Sequence, residues 1–302
     1  MTLFRPYPDR VPPDPSRRET LTFSSPADGS HQRVDVYAPP ATTGDPLPLV
    51  VVGLHGAGWT AAQDYQWGPP DLKVGYHRGW CGLAAKYEVI IATLHGHHRR
   101  EETMSFASPE QIVDIANLPR LLAAHGYCVD GARVYGCGLS MGGQEALMAA
   151  GRHPDVFAAT VAFNPVVDLA TLQQDMHAVD NIRGTDAALR IASEVGGGPD
   201  EVPDAYAERS PLSVVAGLAR VPTMIYWSDR DFIVPRQVSY HSYRLYRQVK
   251  ELSATAPICE YNHTTSHGVT CFTQEVCWQL HEWSDYELAL RWLLIHRRAP
   301  DA

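Results

Sequence analysis

The sequence has no CxxC pair, no long block of like charges, no internal repeat, no low-complexity tract and no apolar run long enough to span a bilayer. Each absence removes a class of protein. A membrane-crossing helix needs about 20 consecutive apolar residues, and the proline- and arginine-containing segment from Met1 to Thr20 lacks the apolar core of a secretion signal. A cytoplasmic location is the expectation. Six cysteines (Cys81, Cys128, Cys137, Cys259, Cys271 and Cys277) are scattered through 302 residues, a pattern of reduced thiols rather than of a disulfide framework or zinc site, although Cys271 and Cys277 could pair. The 25 basic and 34 acidic residues sum to a formal charge of −9. Both signs are interspersed, which argues against a nucleic-acid groove and against a membrane-docking stripe. A small, uncharged partner is expected, and no cofactor is implied.

What is present is an alternation of short apolar runs with helical patterns. Glu19 to Pro26 and Gln32 to Pro39 flank the turn-forming Ala27-Asp28-Gly29-Ser30 and read as an antiparallel hairpin, with residues 1–18 as an arm over the surface. Strands are then expected at Leu49–Leu54, Val89–Leu94, Arg133–Gly138, Ala158–Phe163, Pro222–Trp227 and Ile258–Tyr261. Helices are expected at Gly82–Lys86, Pro109–His125, Gly142–Arg152, Arg236–Glu251 and Asp285–His296. Strand-helix order of this kind predicts an α/β fold with a mostly parallel central sheet and helices on both faces, in one domain over residues 19–302. The long connection of about 165–220 exceeds an ordinary loop and is expected to form a helical cap beside the site. Within it, Val195-Gly196-Gly197-Gly198-Pro199 is read as a surface loop or hinge.

The strongest chemical signal is Gly138-Leu139-Ser140-Met141-Gly142-Gly143, directly after one apolar run and before a helical pattern. A serine at such a strand-turn-helix junction takes strained dihedrals, the flanking glycines leave room for neighbouring backbone, and its hydroxyl stands exposed at a helix N-terminus. A hydroxyl is a weak nucleophile near neutral pH, so a histidine must take its proton and a carboxylate must orient that histidine. Asp231 follows a strand in Trp227-Ser228-Asp229-Arg230-Asp231 and is preferred as the acid over Asp229, because Val234-Pro235 behind it is expected to start the next helix. His267, followed by Gly268, is preferred as the base over His263, which lies close to the last strand. An oxyanion hole needs two backbone N–H groups. Met141 and Ala57, in Leu54-His55-Gly56-Ala57-Gly58-Trp59, are assigned to it, with Gly56 a near alternative.

These residues resemble the α/β-hydrolase superfamily and, within it, the prolyl-oligopeptidase-like group of esterases and peptidases. The resemblance runs from about Leu49 to Arg297. It is carried by His55-Gly56, by Val129-Asp130-Gly131-Ala132-Arg133-Val134 leading into the Ser140 motif, by His153-Pro154-Asp155-Val156-Phe157, and by Arg209-Ser210-Pro211-Leu212 ahead of the Asp231 loop. It implies the α/β-hydrolase fold, with a helical insertion before the acid-bearing strand, and hydrolysis of esters, amides or peptides through an acyl-enzyme. The large peptidases of this group carry an N-terminal propeller, whereas fewer than fifty residues precede the third strand here, so a small esterase is expected. Trp227-Ser228 departs from the small or glycine-containing turn common in that group.

His55, Trp59, Trp67 and His95 are expected to line the substrate pocket, with Tyr65 and Trp80 in neighbouring loops. His95, His97 and His98 lack a carboxylate or cysteine at ligand spacing, and no metal is expected. Transfer of the acyl group to another acceptor, cyclisation or carbon–carbon cleavage would use the same triad. A non-catalytic ligand-binding protein is the reading from outside enzymology.

Overall fold

A computed structural model describes residues 17–39, 44–53, 82–97, 105–184, 186–231, 234–262 and 283–299. The strands are β1 (Arg17–Ser24), β2 (His31–Ala38), β3 (Leu47–Val52), β4 (Ile90–Leu94), β5 (Val129–Leu139), β6 (Ala159–Phe163), β7 (Thr223–Trp227) and β8 (Ile258–Asn262). They form one sheet in the order β1-β2-β4-β3-β5-β6-β7-β8. β2 runs antiparallel to β1 and β4, and every other pairing is parallel. The hairpin turn closes through Ser25 and Ser30, with Gly29 at φ 77° and the Asp28 carboxylate accepting the Ser30 N–H.

The helices are α1 (82–87), α2 (Pro109–Ala124), α3 (Met141–Arg152), α4 (Leu169–Arg183), α5 (Ala187–Val195), α6 (Pro203–Glu208), α7 (Val215–Leu218), α8 (Ser242–Leu252) and α9 (Trp283–Leu293). Central strands such as Leu-Pro-Leu-Val-Val-Val and Ile-Ile-Ala-Thr-Leu are buried and almost wholly apolar because both faces of a parallel sheet are covered. On one face Leu49, Val51, Ile90 and Ile225 pack with Leu118 of α2, Leu147 of α3 and Leu245 of α8. On the other, Val50, Ile91, Tyr135 and Val161 pack with Leu83 of α1 and Leu290 of α9. Each such side chain removed from water contributes roughly 1.5–3 kcal/mol.

Between β6 and β7 the chain folds as α4, α5, α6, a 3₁₀ turn (Pro211–Val214) and α7. These helices build a third apolar cluster of Leu169, Leu172, Met176, Ile191, Val195 and Tyr206, which also takes in Phe106, Met141 and Val234. The insertion therefore packs against the residue after Ser140 and against the loop after Asp231.

Several expected boundaries move: β3 starts at Leu47 rather than Leu49, β5 at Val129 rather than Arg133 and α9 at Trp283 rather than Asp285. β1 starts at Arg17 rather than Glu19. The helix expected from Arg236 begins at Ser242, because Arg236 sits at φ 60°, outside the helical region, and the Gln237 carboxamide oxygen then accepts the N–H and hydroxyl of Ser242. Val234-Pro235 thus leads into a turn and not a helix.

Candidate active site

Ser140 stands between β5 and α3 at φ 56°, ψ −119°. A side-chain-bearing residue adopts a positive φ at an energetic cost and keeps it where neighbours fix the backbone. Three bonds do so here: Ser140 N–H donates to Phe163 O (2.8 Å), and Ser140 O accepts from Gln144 N (3.0 Å) and Val166 N (3.3 Å). A Cβ at Gly138 or at Gly53 would overlap the carbonyl of Gly142, so α3 reaches β3 and β5 only because both positions are bare. The N-terminus of α3 consequently places its first-turn backbone and positive dipole end beside Ser140.

Met141 is fully buried, and its sulfur receives the Phe106 N–H at 3.4 Å. Phe106 and Ala107 have φ of 40° and 53°, two consecutive residues in a costly conformation held against the start of α3. Deeper in α3, the buried Glu145 carboxylate accepts the Ser105 hydroxyl. Gln144 Nε2 donates to Arg209 O at 2.8 Å, and Arg209 Nη1 donates to Ser105 O at 2.8 Å. This polar layer joins α3 to the strained turn and to the end of α6.

At the end of β7, Ser228 N–H donates to Asn164 Oδ1 (2.9 Å), and Asn164 N–H to Tyr226 O (2.7 Å), so the side chain ending β6 fixes the exit of β7. Asp231 is 7% exposed, whereas Asp229 faces solvent. Asp231 Oδ1 accepts Val234 N–H at 3.0 Å and its N–H donates to Ser228 O at 3.3 Å. Trp227, the departure noted from the sequence, packs with Tyr243 and donates its indole N–H to Glu260 Oε2 at 2.5 Å. The bulky indole is thus held against α8 and β8.

β3, β5, β6, β7 and β8 are parallel, so the segments after Gly53, Leu139, Trp227 and Asn262 all leave the same edge of the sheet. Ser140 and Asp231 are both presented there. Ala57, His55, Trp59, Trp67, His263 and His267 lie outside the described residues. His95 follows β4, its N–H bonded to Arg33 O at 2.9 Å and its Nε2 3.3 Å from the buried Asp35 carboxylate. That contact directs it toward β2. His97 is buried between Asp114 (Nδ1 to Oδ2, 2.8 Å) and Asp28 (Nε2 to Oδ2, 3.4 Å), linking the hairpin turn to α2. Among the described residues, no group of three or more His, Cys, Asp or Glu converges as a metal site, and no helix is long and apolar enough to cross a membrane.

Reading the sequence missed Asn164, the Phe106-Ala107 turn, Arg236 and His241. Asn164 alone carried a signal, as a turn-prone polar residue directly behind an apolar strand.

The solved structures similar to this chain include the acylaminoacyl peptidase of Pyrococcus horikoshii, with a TM-score of 0.59 and 18% identity over 83% of this chain and 38% of that one. Dipeptidyl peptidase 4 of Porphyromonas gingivalis has a TM-score of 0.59 and 17% identity over 93% of this chain and 36% of its own. An S-formylglutathione hydrolase from Agrobacterium tumefaciens has a TM-score of 0.57 and 17% identity over 93% of this chain and 95% of its own. The chain thus spans well under half the length of the two peptidases, and at these identities the likeness establishes the α/β-hydrolase fold. No curated protein sequence matches the chain significantly. The sequence model of the prolyl oligopeptidase family matches residues 107–284, more than half of the chain, including both Ser140 and the Asp231 loop. The chain belongs to the prolyl oligopeptidase family.

Proposed function

We propose that this chain hydrolyses carboxylic esters through an acyl-enzyme, with Ser140 as nucleophile, Asp231 as acid and His267 as base. The observation that carries the reading is Ser140 itself, held at φ 56° on the junction of β5 and α3 with the first turn of that helix beside it. In this mechanism His267 takes the Ser140 proton as the oxygen attacks the substrate carbonyl. Asp231 stabilises the imidazolium, and the Met141 and Ala57 N–H groups receive the oxyanion. The protonated His267 then gives its proton to the departing alcohol. Water, deprotonated by the same imidazole, releases the acid and restores the serine. His55, Trp59, Trp67 and His95 are the proposed pocket residues, and the substrate is a small molecule.

Ester rather than peptide hydrolysis is supported by the S-formylglutathione hydrolase, which is similar over nearly its whole length, whereas the peptidases are similar over 36–38% of theirs. A fluorophosphonate probe and paired p-nitrophenyl esters and peptide p-nitroanilides test the reading. Wild type labels once and turns over the esters faster than the anilides, and Ser140→Ala abolishes labelling and lowers kcat on the order of 10⁶-fold. A folded wild type that takes no label would sink the nucleophile assignment; anilides cleaved faster than esters would make it a peptidase.

A further inference from the structure

The segment carrying Asp231 leaves the sheet at Trp227 and becomes helical again at Ser242. Its far half is fastened to the inserted helices rather than to the sheet. The Arg236 guanidinium grips the Asp175 carboxylate of α4 through two bonds, Nε to Oδ2 at 2.8 Å and Nη2 to Oδ1 at 2.5 Å, a planar fork that fixes direction as well as distance. The Tyr240 ring lies against the same guanidinium, 4.3 Å from its carbon. Arg244 Nη1 donates to Asp168, the residue capping α4, at 2.9 Å. Between these ion pairs, His241 Nδ1 accepts the N–H groups of Val167 (3.1 Å) and Asp168 (3.2 Å). Val234 packs in the same apolar cluster as Met141, Val166 and Leu169.

Arg236 makes its fork from φ 60°, a conformation that an L-residue retains only where its surroundings over-determine it. The N–H that holds the Asp231 carboxylate belongs to Val234, two residues before Arg236. Any slide of Arg236 along α4 therefore pulls on the anchor of that carboxylate. We propose that Arg236, through its grip on Asp175, is a positioning residue for Asp231, so that α4 sets the placement of the acid loop. This rests on the reading of Asp231 as the triad acid. A misplacement of about 1 Å at a catalytic group costs up to roughly 100-fold in rate, and a loosened loop is expected to cost about tenfold.

The test measures p-nitrophenyl acetate hydrolysis by wild type, Arg236→Ala, Asp175→Ala, the double variant, Arg236→Lys and Asp231→Asn, with rates expressed per fluorophosphonate-titrated active site. Normalising to titrated sites removes any loss that is only loss of folded enzyme. Each single alanine variant is expected to lower kcat about tenfold, with KM within about twofold of wild type. The double variant should be no slower than either single one, because the two residues act as a unit. Arg236→Lys, which keeps one charge-assisted bond, should fall between, and Arg190→Ala, which breaks an exposed pair with Asp186, should match wild type. Wild-type kcat in the Arg236 and Asp175 variants, or additive losses in the double variant, overturns the proposal while a nearly inactive Asp231→Asn leaves the acid assignment standing. Undiminished kcat in Asp231→Asn overturns both.

Discussion

Ser140 stores backbone strain that its own side chain does not relieve. Its hydroxyl is needed for chemistry, but the positive φ is imposed by the crossing of β5 and α3 and would be adopted at less cost by glycine. Two substitutions that both remove the nucleophile therefore part company in stability. Ser140→Ala keeps a Cβ and hence the strain, whereas Ser140→Gly removes it at a position where the native φ suits glycine. Set against glycine's larger entropy loss on folding, about 0.5–1 kcal/mol, relief of roughly 1–3 kcal/mol leaves Ser140→Gly the more stable inactive variant by about 1 kcal/mol. Urea unfolding of the two proteins reads the difference. Equal midpoints would mean that the serine conformation is not strained in solution. Arg236 makes the opposite use of a positive φ, because there the side chain supplies the compensation through Asp175.

At the scale of elements, strands were legible and the start of α8 was not. β3, β4 and β6 are predominantly apolar runs buried on both faces, and β7 is a shorter run of the same kind with Met224 and Tyr226 half-buried. α8 was misplaced because Val234-Pro235 reads as a helix start, while the deciding feature, the left-handed backbone of Arg236, accompanies a contact with α4 that lies 61 residues away in sequence. The same holds for the site. The Ser140 motif is local and readable, whereas the preference for Asp231 over Asp229 leaned on Val234-Pro235 starting a helix, and that pair leads into a turn. Asn164, which holds the exit of β7, becomes meaningful only once β6 and β7 are neighbours.

His241 is the other element-scale contact that a sequence does not announce, and it makes the joint between α4 and α8 acid-sensitive. Burial holds its folded pKa at about 3, against an ordinary value near 6.5 in the unfolded chain. Between those values the unfolded chain binds a proton that the folded one excludes. The native state consequently loses up to about 1.4 kcal/mol per pH unit as pH falls below about 6.5. Replacing His241 by Asn, which keeps an acceptor oxygen without a titrating group, should flatten this part of the urea-midpoint profile between pH 4 and 6.5. An unchanged slope in His241→Asn would assign the acid lability to other groups.

Across the whole molecule the antiparallel pair β1-β2 is joined to the parallel body by β4 and, beyond the strand pairing, by a buried polar knot in which Ser25 and His97 both engage Asp114. Burial of His97 opposes its protonation, but the bond and charge of Asp114, with the charge of Asp28 beside it, outweigh burial and raise its pKa above the ordinary value. The sign is therefore opposite to that of His241. The folded chain holds a proton that the unfolded one has released, so the stabilisation from His97 is complete below about pH 6.5 and is lost as pH rises through the folded pKa. The stability gap between wild type and His97→Gln is expected to be widest near pH 6 and to narrow by pH 9. His241 limits the chain on the acid side and His97 on the alkaline side, so the wild-type urea midpoint should peak between them. Replacing both histidines should give a broader, lower profile. A gap between wild type and His97→Gln that widens with rising pH would show that His97 is neutral in the folded chain and that its two carboxylates bind it through neutral hydrogen bonds alone.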